Sequence, residues 1–350
     1  MDKKPLIYVL LSAFLFGTST PLAKVLVRDM DPIALAGFLY LGAFAGLSLT
    51  SLFNRIWTPG LEKGTASLRG KDVPWLAGAV LTGGVLGPIC LMMGLDRISG
   101  FSTSLFLNLE GVATVLIAVL IFKENAGKRV WLALSCMTVA GILLAWDPGQ
   151  GKLDLIGPLL VVLAMVCWGI DNNLTRNISE RDPTQIVRVK GLIAGTISLA
   201  LALMLGARVT LDHTVLLALS LGAFGYGLSL VLFIKALKGL GSSRTGVFFS
   251  FAPFMGALLS IILLRERMGW AMLPATGLMA AGVWLIGTEK HLHRHVHGKM
   301  THSHSHSHDD GHHLHSHTGP VTEPHSHGHT HKVLTHSHSH WPDIHHRHVH

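Results

Sequence analysis

Ten long apolar runs constrain this chain more than any other feature of its sequence. Each run is roughly 17 to 23 residues long, which lets an α-helix cross the ~30 Å hydrocarbon core of a bilayer. Only 14% of the residues are charged, against about 25% in a typical soluble domain. Because lipid offers no hydrogen bonds, a membrane-spanning backbone must be an α-helix or part of a closed β-barrel. The runs lack the apolar–polar alternation of a barrel strand, so they favour helices. We therefore predict an all-α integral membrane protein with ten transmembrane helices at residues 5–27, 32–53, 73–95, 101–122, 130–146, 153–174, 185–205, 214–234, 243–264 and 271–287.

Basic residues set the predicted orientation. With the N-terminus in the cytoplasm, the inside loops hold thirteen Lys and Arg residues and the outside loops hold six, as the positive-inside rule requires. The pair Arg265 and Arg267 opposes this orientation. We predict a multi-pass protein of the cell (inner) membrane, with both termini cytoplasmic and the lipid bilayer as its surroundings. No nucleic-acid-binding motif accompanies the basic excess, so no nucleic-acid partner is expected.

The chain contains an internal repeat. The stretch LFGTSTPLAKVL (15–26) aligns with CWGIDNNLTRNI (167–178), so that Gly17 matches Gly169. Farther along, Asp31-Pro32 matches Asp182-Pro183, and Glu124 in IFKEN matches Glu266 in LLRER. Because each half contains five predicted helices, an odd number, the two halves must lie in opposite orientations. Inverted repeats are typical of secondary transporters, with the substrate site near the midplane between the halves.

Several of these segments resemble a known family. The stretch FGTSTPLAK, the segment SGFSTSLFLNLEGVATVLIAVLIFKE (99–124) and its second copy GSSRTGVFFSFAPFMGALLSIILLRE (241–266) resemble the EamA family of the drug/metabolite transporter superfamily. The resemblance implies two inverted five-helix EamA repeats, placed here at residues 1–146 and 147–290, and export or exchange of a small solute. The first copy departs from the pattern, since Glu110 and Gly111 stand where the second copy has Pro253.

Polar residues inside the predicted spans mark the candidate site. A charge at the bilayer centre costs at least ~2.5 kcal/mol, so such residues are rare and usually functional. Glu110 lies nine residues into span four, and we predict that it is the proton- or cation-linked carboxylate. Asp171 and the adjacent asparagines would shape the site, facing the hydroxyls of span one. The predicted substrate or coupling-ion residues are Glu110, Asp171, Asn172, Asn173, Thr18, Ser19, Thr20, Arg188 and Lys190.

Structural interpretations of the same residues remain open. Glu110 would be a structural group if it paired with Arg188 or Lys190, and these two cations would otherwise extend to the cytoplasmic interface. Asp171 with Cys167, one helical turn apart, offers donors suited either to a divalent cation or to the ammonium group of an organic solute. The cluster of glycines and proline at 83–88 predicts close packing and local unwinding of span three.

The last sixty residues differ sharply from the rest. Residues 291–350 hold 23 of the 24 histidines, mostly alternating with small polar residues, and we predict a disordered tail. Neutral imidazole suits transition metals, so we expect zinc, nickel or cobalt to bind the tail, although the membrane part requires no cofactor. A proton-buffering tail is an alternative. The predicted metal ligands are His302, His304, His306, His308, His325, His327, His329, His331, His336, His338 and His340.

These features favour a secondary transporter, with export as the expected direction, that works by alternating access. Two alternatives stay open: a nickel, cobalt or zinc transporter, and a metal-storage or sensor protein that transports nothing. We expect no enzyme, since the spans contain neither a nucleophile–base arrangement nor a histidine pair. The substrate is then a small molecule or a metal ion. A homodimer is compatible with the sequence, although nothing in it requires one.

Overall fold

The computed structural model describes most of the membrane part and four segments of the tail. The described residues are 4–57, 67–121, 127–145, 155–178, 181–210, 212–240, 245, 248–266, 269–288, 291–297, 300–306, 325–331 and 334–340. Residues 4–288 fall in one compact unit and the tail falls in a second. Glu124 and His308, which the sequence analysis singled out, lie outside the described residues.

The described residues of the membrane unit are mainly helical. The first half contains α1 (Lys4–Leu26), α2 (Pro32–Trp57), a short 3₁₀ turn (Gly70–Asp72), α3 (Val73–Ala79), the π-helix π1 (Val80–Leu86), α4 (Gly87–Arg97), α5 (Gly100–Phe106), α6 (Leu109–Leu120) and α7 (Lys128–Ala145). The second half contains α8 (Ile156–Arg176), α9 (Pro183–Met204), α10 (His213–Leu221), the π-helix π2 (Gly222–Leu228), α11 (Ser229–Leu240), α12 (Ala252–Leu264) and α13 (Met272–Gly287).

Within the described residues, an apolar helical segment lies at each of the ten predicted spans. Eight helical segments of the described chain are long and apolar enough to cross a bilayer, and two shorter apolar helices, Ala252–Leu264 and Met272–Leu285, occupy the positions of spans nine and ten. Apolar side chains such as Leu49, Leu159 and Leu216 are more than half exposed on the outer faces of these helices, as lipid contact requires.

Small residues let the two halves approach closely. The strongest pairing between halves joins α2 to α9, where a Cβ placed on Gly37 would lie 2.9 Å from the backbone nitrogen of Leu199. A Cβ on Gly195 would likewise lie 2.8 Å from the nitrogen of Leu41. Such contacts exclude any larger residue, which is how helices associate in lipid without a hydrophobic driving force.

Three of the spans that the structure describes depart from a regular α-helix, and their irregularities shape the candidate site. Span three passes through the seven-residue π1, as its glycine cluster predicted, and span eight passes through π2. Span four, predicted at 101–122, is present as an apolar segment at Gly100–Ile117, but a turn at Leu107–Asn108 separates α5 from α6 within it. Glu110 therefore lies in the first turn of a new half-helix rather than in the middle of a continuous one.

The tail differs from the expected disorder in four segments. β1 (His291–His297) pairs antiparallel with β4 (Leu334–His340), and β2 (Met300–His306) pairs with β3 (His325–His331). The physical reason is the two-residue alternation of the sequence, which matches the side-chain period of a strand. The register sets histidines opposite each other at His293 and His338 and at His304 and His327.

Candidate functional site

A buried ion pair marks the centre of the membrane unit. Lys190 of α9 donates to the carboxylate of Asp171 on α8, and the side chains of both are at most 14% exposed. The hydroxyl of Thr175, one turn along α8, donates to the other oxygen of Asp171 at 3.0 Å. A Cβ on Gly83 would overlap this carboxylate, so the pair can form only because residue 83 is glycine.

Glu110 is held by amide and hydroxyl groups rather than by a cation. Asn172 Nδ2 donates to Glu110 Oε1 at 2.7 Å and also approaches the hydroxyl of Thr114 at 3.2 Å. Among the described residues no salt bridge reaches Glu110, so the alternative pairing with Arg188 or Lys190 is not what the structure shows. Glu110 nevertheless lies within electrostatic range of Asp171 and Lys190. One carboxylate of this group therefore lacks a cationic partner of its own.

The carbonyl of Gly83 joins three spans. It accepts hydrogen bonds from the Tyr40 hydroxyl at 2.7 Å and from Trp168 Nε1 at 3.1 Å. The π1 geometry frees this oxygen, because the N–H of Gly87 donates to Thr82 O, five residues back, and the following Pro88 has no N–H. Side chains of α2 and α8 thus replace a missing bond of the helix.

Aromatic side chains surround this point. Phe16 of α1 lies 6.5 Å from Trp168, 6.0 Å from Tyr226 and 5.5 Å from Phe249, measured between ring centroids. Tyr226 in turn lies 5.9 Å from Tyr40. We call these five residues, Phe16, Tyr40, Trp168, Tyr226 and Phe249, the aromatic cluster. Apart from the buried Trp168, its members are partly exposed within the bundle, so their rings offer apolar and π surface next to the ion pair.

The hydroxyl residues of span one contribute unequally. Thr18 donates back to Phe14 O of its own helix at 2.6 Å. Ser19 is 2% exposed, donates to Phe16 O at 2.6 Å, and has its hydroxyl close to Tyr226. Thr20 is buried as well. Ser19 is therefore the member of this predicted set that touches the aromatic cluster.

The remaining predicted residues lie at the edge of the site. Asn173 donates to Gly169 O at 2.8 Å and to Thr114 O at 3.3 Å, so it fastens α8 to α6. Arg188 is partly buried, and its Nε has no hydrogen-bond partner among the described residues. It stands two residues from Lys190, hence on a different face of α9.

Two observations bear on what the site can hold. Within the described residues no group of three or more His, Cys, Asp or Glu side chains is placed to hold a metal ion. A separate cavity of about 320 Å³ lies between α1 and α10, but its lining is almost wholly apolar. We therefore place the candidate site at the ion pair, Glu110 and the aromatic cluster.

One end of the bundle is fastened across the two halves by Glu266. Its carboxylate accepts hydrogen bonds from the backbone N–H groups of Gly100 at 2.7 Å and Phe101 at 2.9 Å, capping the start of α5. The chain turns out of α12 at Arg265, whose φ of 52° and ψ of 38° are left-handed. This conformation is uncommon outside glycine, asparagine and aspartate.

Lys24 fastens the neighbouring helix end. Its ammonium group donates to Leu95 O and, at 3.0 Å, to Asp96 O at the end of α4. A cation at a helix C-terminus and an anion at a helix N-terminus both oppose the helix dipole favourably. We call the contacts of Lys24 and Glu266 the end clamp.

Comparison with known proteins now identifies the family. A family model described as "EamA-like transporter family" matches the chain twice, over residues 3–146 and 155–288. The chain belongs to the EamA family. Its relatives include a protein of Methanothermobacter thermautotrophicus named "Uncharacterized transporter", 26% identical over 80% of this chain and 85% of its own. Another is "Uncharacterized transporter YyaM" of Bacillus subtilis, 25% identical over 73% of this chain and 85% of its own.

A solved crystal structure also aligns with this EamA chain. It covers 79% of this chain and 94% of its own with a TM-score of 0.56 and 16% identity, which shows the fold alone. The EamA assignment makes this a multi-pass membrane transporter.

Sequence reasoning missed part of the EamA chain's site. Tyr40, Trp168 and Tyr226 come from three different spans, and no local pattern signals that they meet. The usable signal was the glycine cluster at 83–88, which predicted unwinding but not the donors that the freed carbonyl of Gly83 receives.

Proposed function

We propose that this EamA transporter is a secondary exporter of a small organic solute. It works by alternating access, with Glu110 as the proton- or cation-linked carboxylate. The observation that supports it most is the position of Glu110 at the start of a half-helix, bonded to Asn172 and without a cation of its own among the described residues. A carboxylate so placed exchanges a proton for a cationic ligand at low cost, because neither state leaves a buried cation unpaired.

The ion pair fixes the geometry around Glu110. Asp171 and Lys190 neutralise each other, and the aromatic cluster supplies apolar surface beside them. An organic solute with both a polar and an apolar part fits such a lining. Asn172 would pass its hydrogen bond from Glu110 to the solute, while Asn173 and Thr20 support the helices that carry the site.

Transport of a transition metal is the second candidate function, and the feature that favours it is the histidine-rich tail. The register of the two strand pairs in the tail, β1 with β4 and β2 with β3, sets histidines opposite each other. Neutral imidazole is a ligand for zinc, nickel and cobalt. We propose that the tail binds such a metal on the cytoplasmic side. The metal would regulate transport. Within the described residues, membrane unit and tail alike, no group of three or more ligand side chains is placed to hold a metal ion, so the support for this proposal is the histidine content of the tail.

The test uses purified protein in vesicles that enclose a pH-sensitive dye. Vesicles loaded with a defined mixture of amino acids and amines are diluted, and acidification of the interior is compared with protein-free vesicles. Solute efflux through the chain should drive proton entry, and Glu110→Gln should reduce that rate at least tenfold, about 1.4 kcal/mol in barrier height. Asp212→Asn, a change at an exposed carboxylate, is the matched control and should leave the rate unchanged.

The same vesicles decide between the candidates when nickel, cobalt or zinc replaces the organic mixture. Metal flux that survives truncation after Lys290 but falls with Glu110→Gln would place the metal in the membrane site and overturn the organic solute. Solute-driven proton entry at equal rates in Glu110→Gln and the parent chain would contradict the role of Glu110. Metal bound by the full chain and not by the truncated one, with no metal flux in either, is the expected result.

A further inference from the structure

The two π-helices occupy matching places in the two halves. Gly83 is the fourth of seven residues in π1, and Gly225 is the fourth of seven in π2. Each glycine contacts the matching point of the opposite half. A Cβ on Gly83 would meet Asp171, and one on Gly225 would lie 2.9 Å from the Cβ of Ser19, the residue that aligns with Asp171 when Gly17 is set on Gly169. The same backbone feature, a π-helix with a closely packed glycine at its fourth residue, therefore occurs once in each half.

The geometry of π2 leaves the carbonyl of Gly225 without an intrahelical hydrogen bond. The N–H of Ser229 donates to Phe224 O, five residues back. The α-helix that begins at Ser229 has four-residue spacing, so we expect the N–H of Leu230 to donate to Tyr226 O. The oxygen of Gly225 is passed over between these two bonds, as the oxygen of Gly83 is in π1.

The two freed carbonyls differ in their partners. Gly83 O receives the Tyr40 hydroxyl and the Trp168 indole N–H. The repeat alignment sets Gly191 against Tyr40 and Phe16 against Trp168, and neither replacement has a side-chain donor. Among the described side chains none donates to Gly225 O. A buried carbonyl without a donor costs free energy comparable to a lost hydrogen bond, so this oxygen favours a ligand that brings one.

The surroundings of Gly225 indicate the class of that ligand. Tyr226 is the next residue, and the ring of Phe16 stands 6.0 Å from it and 5.5 Å from Phe249. Ser19 adds a hydroxyl beside them. A carbonyl, a hydroxyl and several aromatic faces together form a setting for a cation that carries N–H groups.

We propose that Gly225 O, Ser19 and the rings of Phe16, Tyr226 and Phe249 bind the protonated amine of the transported solute. The substrate class is then a primary or secondary ammonium with an apolar or aromatic body, for which Glu110 supplies the compensating charge. The ammonium N–H groups take the role at Gly225 that Tyr40 and Trp168 fill at Gly83. This inference rests on the proposed function, since it names the solute of the same site.

Binding of matched probes to the full chain in lipid nanodiscs tests the inference by calorimetry. The probes are phenethylammonium, its trimethylated form, which has no N–H, and 3-phenylpropionate. Phenethylammonium should bind at least tenfold more tightly than the trimethylated form, about the effect of one charge-assisted hydrogen bond. The carboxylate probe should not bind.

Two substitutions sharpen this test. Phe16→Trp places an indole N–H where the repeat places Trp168, so it should satisfy Gly225 O internally and weaken phenethylammonium binding about tenfold. Phe14→Trp, on the lipid side of the same helix and 44% exposed in the parent, is the matched control and should change nothing.

Three results would overturn the inference: equal binding of the trimethylated probe, unchanged binding in Phe16→Trp, or no binding of phenethylammonium. If Phe16→Trp does not fold, the ratio between the two ammonium probes on the unchanged chain decides alone. Failure here leaves the proposed function standing if the loaded vesicles still show proton entry that depends on Glu110. Loss of both signals would remove the proposed function as well.

Discussion

At the scale of single residues, four polar side chains form two pairs that are stabilised in different ways. Asp171 and Lys190 neutralise each other as ions, whereas Glu110 and Asn172 share a hydrogen bond without a cation. Burying an ion costs several kcal/mol unless it is paired. The first pair therefore belongs to the framework of the site, and the second is free to change partners during transport.

Removing one member of the framework pair should be more damaging than removing both charges. Lys190→Met leaves Asp171 buried without its cation and should destabilise the protein by about 3–5 kcal/mol. The double change Lys190→Met with Asp171→Asn should recover most of that loss. Thermal unfolding in detergent measures both, and a double variant no more stable than Lys190→Met would show that the pair is not coupled.

At the scale of elements, the π-helices turn backbone atoms into functional groups. A regular helix occupies its carbonyls internally, but π1 presents Gly83 O to two neighbouring spans. The break between α5 and α6 acts in a similar way, because it gives Glu110 the first turn of a helix. Spans three and four are thus helical enough to cross the membrane, and each also presents a polar group, Gly83 O or the Glu110 side chain, to neighbouring spans.

The two donors to Gly83 O should compensate for each other. Tyr40→Phe leaves one donor in place and should cost little stability, whereas Trp168→Phe also leaves one donor but should cost the packing that the buried indole loses. The double variant leaves the carbonyl unsatisfied and should cost about 1–3 kcal/mol more than the sum of the single changes. A double-mutant cycle of thermal unfolding, with Tyr8→Phe as a control outside the site, checks this. Strict additivity would mean that the two bonds are independent.

At the scale of the whole molecule, the Glu266 part of the end clamp ties the halves together at one end, and its Lys24 part ties two helices of the first half there. Glu266 from the second half holds α5 of the first, and Lys24 holds the end of α4. Alternating access requires that each end open in turn. The closed end must therefore release these contacts when it opens.

Weakening the clamp should shift the balance toward opening at that end. Glu266→Gln removes the charge that holds two backbone N–H groups, and the population open there should rise about tenfold. A cysteine introduced for Ser102 in a chain without Cys90, Cys136 and Cys167 would report this through its rate of labelling by a membrane-impermeant maleimide. Asp29→Asn, at an exposed carboxylate near the same end, serves as control. An unchanged labelling rate would rule out a gating role for Glu266.

The sequence predicted the molecule best where the chain is periodic. Apolar runs of membrane-spanning length located the helical spans of the described residues, and the motifs shared by the two repeats led to the family. Glu110 and Asp171 stood out because charges are rare in such runs. Their partners did not, because the choice of Lys190 for Asp171 and Asn172 for Glu110 depends on how α6, α8 and α9 pack. The turn at Leu107–Asn108 contains neither glycine nor proline, so the sequence contained no signal by which it could be predicted.

Each π-helix also gives its span a spare residue, because the wider turns take up one more residue than an α-helix of the same rise. In an ordinary span, deleting one residue would rotate everything beyond it by about 100° and ruin its packing. In π1 or π2 the same deletion would restore regular pitch and keep the flanking helices in phase. Evolution can thus switch the freed carbonyls on or off by a single-codon insertion or deletion, without rebuilding the rest of the bundle.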